Sequence, residues 1–243
     1  MTKHWLRAAG WWASDYAYAG YGQVRGVFTR ADAASLQSGD LAPVVVIPGI
    51  YESWRFLSPL VKRLHELGHP IYVVPTLRLN LRPVTEAAAV VSAQLAHDDL
   101  AGVIIVAHSK GGLIGKHVMV DPAARERVAS MLAVATPFGG SAYARYMLAP
   151  SLRIFSPKSP TIRALAAEEA VNSRIVSVYG TFDPHIPSGC ELPGAKNVEL
   201  ETGGHFRILG HAQIFSEFAL LAQQEAIQKD RPPELPQAEG LTS

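Results

Sequence analysis

The sequence has little of three things: cysteine, net charge and long apolar runs. Its 243 residues include a single cysteine, Cys190, so no disulfide can form within the chain, which fits a reducing compartment. The formal net charge of +1 gives no reason to expect a nucleic acid or an anionic membrane as partner. No apolar run reaches membrane-spanning length, and the first residues lack the apolar core of a signal peptide. We therefore expect a cytoplasmic protein.

Sequence patterns that bind phosphates or metals are also missing. No glycine-rich loop continues into a lysine and a serine, and there is no complete GxGxxG pattern. The histidines are not spaced like paired metal ligands. We therefore predict no metal and no cofactor. Cys190 is interpreted as an ordinary small side chain in a loop rather than as a catalytic thiol.

Apolar runs instead alternate with helical patterns along most of the chain. The runs are continuous rather than alternating in polarity, as in a parallel sheet that is covered on both faces. This order predicts an α/β fold, with an open, mostly parallel sheet and helices on both faces. The predicted strands are 44–47, 71–74, 103–106, 131–134, 175–178 and 197–200, and the predicted helices include 56–67, 87–95 and 214–221.

The two ends of the chain and one internal segment differ from this α/β core at 41–229. Residues 1–40 are rich in aromatic side chains, which we expect to pack on the sheet edge; transient contact with a membrane surface is the alternative. Residues 230–243 are polar and proline-containing, so we expect disorder there. Residues 137–172 are longer than a crossover needs and are interrupted by prolines. We predict a small cap after the fourth strand, with a plain crossover helix as the alternative.

The strongest functional pattern follows the third predicted strand. Residues 107–112 read Ala-His-Ser-Lys-Gly-Gly, which is typical of a nucleophile elbow, where a strand turns sharply into a helix with a serine at the tip. The usual pattern has glycine at the position of Ala107, and alanine is small enough to replace it. The pattern indicates that Ser109 is a nucleophile. An incidental serine in a strand-to-helix turn is the alternative.

A serine nucleophile needs a histidine base, and the base needs a carboxylate that fixes its tautomer. Asp183 follows the fifth predicted strand, and His205 lies in a glycine-rich loop after the sixth. The order serine, acid, histidine is the order expected with an elbow serine. His211 is the nearest alternative base, and Asp183 could instead be an ordinary turn residue.

An oxyanion hole and a substrate cleft complete the predicted site. The backbone N–H of Lys110 is the first expected oxyanion donor. The second is the N–H of Ile50 in the loop after the first strand, with that of Tyr51 as the alternative. The apolar cap and the oxyanion loop are expected to supply the side chains that contact the substrate, namely Tyr51, Phe138, Tyr143, Met147 and Phe155.

Together these segments resemble the small bacterial lipases and carboxylesterases of the α/β-hydrolase superfamily. The resemblance covers roughly residues 43–218 and rests on the stretches 47–50, 107–112, 135–141, 156–165, 180–187 and 204–206. It implies an α/β-hydrolase fold and hydrolysis of carboxylic esters through an acyl-enzyme, by Ser109, Asp183 and His205. Many members of this family have histidine at the positions of Pro48 and Phe138. These two differences leave the triad intact and affect the expected shape of the acyl and alcohol pockets. The alternatives are an acyltransferase or thioesterase with the same triad, and a catalytically idle, ligand-binding relative.

Overall fold

The computed structural model describes residues 2–29, 32–146 and 149–229. Within these ranges the strands are β1 Val44–Ile47, β2 Ile71–Val73, β3 Val103–His108, β4 Val128–Val134, β5 Ile175–Phe182 and β6 Lys196–Gly203. The α-helices there are α1 Thr2–Phe28, α2 Ser58–Glu66, α3 Val84–His97, α4 Lys110–Val120, α5 Pro150–Arg153, α6 Pro160–Ala167 and α7 Ala212–Lys229. The expected disordered tail at 230–243 and the candidate residue Met147 lie outside the described residues.

The six strands form one sheet in the order β2-β1-β3-β4-β5-β6. Every strand pairing is parallel, so the predicted open parallel sheet is confirmed. The chain first crosses from β1 to β2 and then returns to place β3 on the other side of β1. Ligands of such sheets bind outside the carboxyl ends of the strands at this kind of reversal.

Both faces of the sheet are buried, which explains the continuous apolar runs. Successive side chains of a strand point to opposite faces. Val44 and Val46 pack in one core with α2 and α7. Val45 and Ile47 pack in a second core with α3 and α4. The predicted helices on both faces are therefore confirmed.

The aromatic-rich start of the chain forms the long helix α1, which lies against β6 and the turn after it. Its inward face carries Trp11, Asp15, Tyr18 and Gly22, which recur at helical spacing. A Cβ atom on Gly22 would overlap the ring of Phe56, so the missing side chain lets the helix approach the domain closely. Other aromatic residues of this segment, namely Trp12, Tyr16, Tyr21 and Phe28, are exposed.

The sequence did not predict α1 as a helix, because glycine disfavours a helix interior and this one contains four: Gly10, Gly20, Gly22 and Gly26. In the part of the chain that the structure describes, no helix combines the length and the apolarity that crossing a membrane requires. The boundary expected between residues 40 and 41 stays a prediction.

The segment between β4 and β5 has two parts. The first contains a 3-10 turn at Ala142–Tyr146 and the short helix α5, and it reaches toward the loop after β1, where the hydroxyls of Tyr51 and Ser151 share a hydrogen bond of 2.9 Å. The second contains α6, which packs against α4 in the core as a crossover helix does. The first part therefore matches the predicted cap in position, and the second matches its alternative.

Candidate active site

Ser109 lies between the last residue of β3 and the first residue of α4, with φ 53° and ψ −120°. This backbone conformation is sparsely populated for any residue other than glycine and is strained. A Cβ atom on Gly111 would overlap the carbonyl oxygen of Ile47, and one on Gly112 would overlap the side chain of Thr136. The two glycines after the serine are therefore required by the close approach of β1 and of the loop after β4.

The three side chains predicted to act together lie in hydrogen-bonding order. Ser109 Oγ is 2.9 Å from His205 Nε2, and His205 Nδ1 is 2.7 Å from Asp183 Oδ2. The other Asp183 oxygen accepts the N–H groups of His185 at 2.7 Å and of Ile186 at 3.1 Å. The alternative base, His211, lies elsewhere, where its Nδ1 accepts the N–H of Gln213.

Burial and charge compete at both titrating members of this chain of hydrogen bonds. At Asp183, burial would raise the pKa, but the charge and hydrogen bond of His205 outweigh it and lower the pKa. At His205, burial would lower the pKa, but the charge and hydrogen bond of Asp183 outweigh it and raise the pKa. Asp183 is therefore ionised near neutral pH. Its carboxylate makes the buried imidazole a better proton acceptor, which suits general-base chemistry.

The loop after β1 and the start of α4 present backbone N–H groups beside Ser109. Ile50 lines the same cleft as Ser109, and no acceptor among the described residues takes its N–H. Lys110 is the first residue of α4, where an N–H has no intrahelical acceptor. The N–H of Tyr51 instead donates to the carbonyl of Leu79 at 2.8 Å. The alternative donor Tyr51 is therefore engaged elsewhere.

The side chain of Lys110 holds a neighbouring loop in place. Its buried Nζ donates to the carbonyl oxygens of Asn80, at 2.7 Å, and of Arg82. Burial lowers the pKa of this ammonium group to about 8. Asn80 Nδ2 in turn donates to the carbonyl of Pro48 at 2.7 Å. Lys110, which follows the elbow serine, thus supports the loop of Ile50 indirectly, through Asn80 and Pro48.

An apolar cleft of about 290 Å³ opens at Ser109 and His205. Of the side chains expected to contact a substrate, Tyr51 and Phe155 line it. Unpredicted lining residues come from α1 and from the segment after β4, among them Ala19, Gln23, Ala144 and Leu152. The spacing of Ala19, Gly22 and Gly26 on one face of α1 is the sequence signal that could have indicated a close-packed helix there.

Two of the predicted substrate-contacting residues do not line this cleft. Phe138 is buried in the core that packs against α3 and α4. Tyr143 lines a neighbouring groove of about 680 Å³ together with Trp12 and residues of the loop after β5. An apolar residue type in a predicted cap does not determine the direction of its side chain.

Asp15 of α1 is a site-supporting residue that the sequence reasoning missed. Its fully buried carboxylate accepts the N–H groups of His205 at 2.9 Å, of Phe206 at 2.8 Å and of Arg207 at 2.8 Å. It therefore caps the 3-10 turn at Arg207–Gly210 and fixes the backbone of the histidine loop. A lone carboxylate among the inward aromatic residues of a helix was the available signal.

His185 lies beside His205, with ring centroids 4.8 Å apart, and lines the same cleft. Burial and then the charge of His205 lower its pKa to about 4, so His185 is neutral at neutral pH. Its Nε2 lies 3.2 Å from the hydroxyl of Tyr16, at hydrogen-bond distance. Tyr16 is thus, after Asp15, a second side chain of α1 that contacts the site.

Two other types of site find no support in the described ranges. No group of three or more histidine, cysteine or acidic side chains in them converges as metal ligands do. Cys190 is buried and free, and burial raises the pKa of its thiol. A buried thiol of raised pKa is a poor nucleophile.

No protein-family model matches the sequence, and no curated protein matches it either. Solved structures do match the fold. An extracellular α/β-hydrolase from a Paenibacillus species has 16% identity and a TM-score of 0.52, over 74% of this chain and 98% of that chain. A mature lipase from Bacillus licheniformis has 17% identity and a TM-score of 0.56, over 76% and 92% of the two chains. An enol-lactonase from Burkholderia xenovorans has 15% identity and a TM-score of 0.51, again over 76% and 92%. The chain has the α/β-hydrolase fold.

Proposed function

We propose that this protein is a serine hydrolase that cleaves carboxylic esters, in the manner of a lipase or carboxylesterase. One observation carries the proposal: Ser109, His205 and Asp183 form a continuous hydrogen-bonded chain at the mouth of an apolar cleft. The same fold in a lipase and an enol-lactonase supports it. The proposed substrate is a small-molecule or lipid acyl ester, and the proposed location of the protein is the cytoplasm.

In the proposed mechanism, Ser109 Oγ attacks the ester carbonyl while His205 Nε2 takes its proton. Asp183 keeps the imidazole in the required tautomer and stabilises its cationic form. The N–H groups of Ile50 and Lys110 donate to the oxyanion of the tetrahedral intermediate. His205 then gives the proton to the leaving alcohol, and an acyl-enzyme remains. Water attacks the acyl-enzyme by the same proton transfers, so no step requires a cofactor.

The proposal is tested with a fluorophosphonate probe and p-nitrophenyl esters. We expect the wild-type protein to be labelled and Ser109→Ala to be unlabelled. In Ser109→Ala and His205→Ala, kcat should fall by about three to six orders of magnitude, while the circular dichroism spectrum stays unchanged. More than a tenth of the wild-type turnover in Ser109→Ala would overturn the assignment. Adding a competing alcohol and identifying the products tests whether water is the acyl acceptor.

A further inference from the structure

A second buried pair, Glu52 and His108, lies beneath the proposed triad. His108 Nδ1 is 2.9 Å from the Glu52 carboxylate, and the exposed fractions of the two side chains are 0% and 2%. His108 Nε2 is 2.9 Å from the carbonyl oxygen of His205. The Glu52 carboxylate also accepts the N–H of Gly49 at 2.8 Å. Both ring nitrogens of His108 therefore face oxygen atoms.

Counting donors and acceptors shows how His108 is held at both ends. A carbonyl oxygen can only accept a hydrogen bond, so His108 Nε2 must carry the proton that it donates to His205. The Glu52 carboxylate accepts the N–H of Gly49 and lies 2.9 Å from His108 Nδ1. Hydrogen bonds therefore hold the imidazole at both ring nitrogens.

The other rings and carboxylates near His108 have partners of their own among the described residues. Its ring faces the ring of His205, with centroids 5.0 Å apart, and the ring of Phe206, at 5.9 Å. The two other carboxylates near the histidine loop are engaged, Asp183 with the His205 ring and Asp15 with backbone N–H groups. Among the described residues, Glu52 is the carboxylate within hydrogen-bond distance of His108.

From this geometry we infer that Glu52 and His108 are positioning residues that join the two loops the reaction uses. The inference rests on the proposed ester hydrolysis. Glu52 holds the loop of Gly49, whose next residue is the oxyanion donor Ile50. His108 holds the backbone of His205 and directly precedes Ser109. One buried, hydrogen-bonded pair thus fixes the nucleophile, the base and the oxyanion loop relative to one another.

Two substitutions of Glu52 separate hydrogen bonding from mere filling of space. Gln in Glu52→Gln can still accept from Gly49 and donate to a neutral His108, so this variant should keep most of its turnover. Leu in Glu52→Leu can do neither. Because misplacement of about 1 Å can cost about 100-fold in rate, kcat should fall about 10- to 100-fold while KM changes little.

The matched control is Glu217→Leu, which removes another buried carboxylate. Glu217 bonds Lys196 at 2.7 Å, at the amino end of β6 and away from the site. This variant should lose stability while its kcat stays at the wild-type value. Wild-type turnover in Glu52→Leu, or an equal loss in Glu52→Gln and Glu52→Leu, would overturn the positioning role.

A spectroscopic test keeps the inference falsifiable if Glu52→Leu does not fold. In protein labelled with ¹⁵N-histidine, the His108 signals are identified by their absence in His108→Gln. His108 Nε2 should be protonated and hydrogen-bonded to the carbonyl of His205 in the wild type and in Glu52→Gln. An unprotonated Nε2 in the wild type would overturn the role of His108 in holding the His205 backbone. This measurement does not depend on ester hydrolysis. Failure of the positioning inference can therefore be distinguished from failure of the proposed function.

Discussion

His205 shows how opposing physical effects set the chemistry of a single side chain. Burial favours its neutral form, whereas the carboxylate of Asp183 favours the cation, and the carboxylate prevails, so the pKa is raised. A protonated His205 cannot take the proton of Ser109. Activity should therefore fall as the pH drops through the raised pKa, and kcat/KM reports this ionisation in the free enzyme.

Replacing the acid should change the pH profile in a defined direction. In Asp183→Asn the charge that raises the pKa of His205 is gone, while burial remains. The acid limb of kcat/KM should therefore move to lower pH, and the plateau of kcat should fall by about 10⁴-fold or less. The measurement is a pH–rate profile with a p-nitrophenyl ester for both proteins. An acid limb that stays in place would show that Asp183 does not set the ionisation of His205.

Residue-scale prediction works where the backbone itself imposes the residue type. Ser109 is recognisable because its strained turn demands small neighbours, as the close contacts at Gly111 and Gly112 show. Asp183 and His205 follow from chain order and from their places after strands. Phe138 and Glu52 did not follow, since neither an apolar ring nor an isolated carboxylate shows from sequence which way it points.

Helix α1 supplies site residues that the sequence analysis did not predict. It supplies Asp15 to the histidine loop, and Ala19 and Gln23 to the cleft. Gln23 Nε2 also donates to the carbonyl of Tyr51 at 2.9 Å. A helix outside the sheet's own strand–helix alternation thus contacts both the histidine loop and the oxyanion loop.

Removing the carboxylate of α1 should disturb both stability and turnover. Asp15→Ala leaves three N–H groups without their acceptor, and each buried unpaired group costs about 1–3 kcal/mol. We expect the free energy of unfolding to fall by about 3 kcal/mol or more, and kcat to fall because the His205 backbone is released. Urea unfolding and steady-state kinetics provide the measurement. Asp40→Ala, which removes an exposed carboxylate, is the control; equal behaviour of the two variants would contradict the role of Asp15.

For the whole molecule, the cleft is an assembly of distant chain segments. Its lining residues come from α1, from the segment after β4, from the elbow serine and from the histidine loop. The cleft is mostly apolar, and its volume is at the lower end for ligand sites. It therefore suits an acyl chain of limited length better than a bulky polar group.

The dependence of kcat/KM on the acyl chain length of the ester should reflect the size of the cleft. Each buried methylene contributes about 0.8 kcal/mol, close to a fourfold gain in affinity, so kcat/KM should rise from acetate to at least hexanoate. Phe155→Ala should blunt the rise without removing acetate hydrolysis. Ala19→Leu, which fills the cleft, should end the rise at a shorter chain, whereas Ala17→Leu on the exposed side of α1 should not. A flat or falling wild-type profile would contradict an acyl-binding cleft.

The sheet was more predictable than its surroundings, for a physical reason. Strands buried on both faces leave continuous apolar runs, so all six strands were found from local sequence. The strands β3, β4, β5 and β6 extend beyond the predicted ends, and β2 ends one residue earlier than predicted. The position of α1 depends on contacts between residues far apart in the chain. Such contacts cannot be predicted from local sequence. The position of α1, and its contacts with the histidine loop and the cleft, are therefore known only from the structure.

The contact between Asp15 and His205 spans 190 positions of the chain. A ribosome adds about 5–20 residues per second, so roughly 10–40 s pass between the synthesis of the two residues. Throughout that interval the inward aromatic face of α1 has no histidine loop to dock against. Until then the apolar face of α1 stays uncovered and Ser109 has no histidine to take its proton, so the proposed chemistry can begin only after the histidine loop has been made.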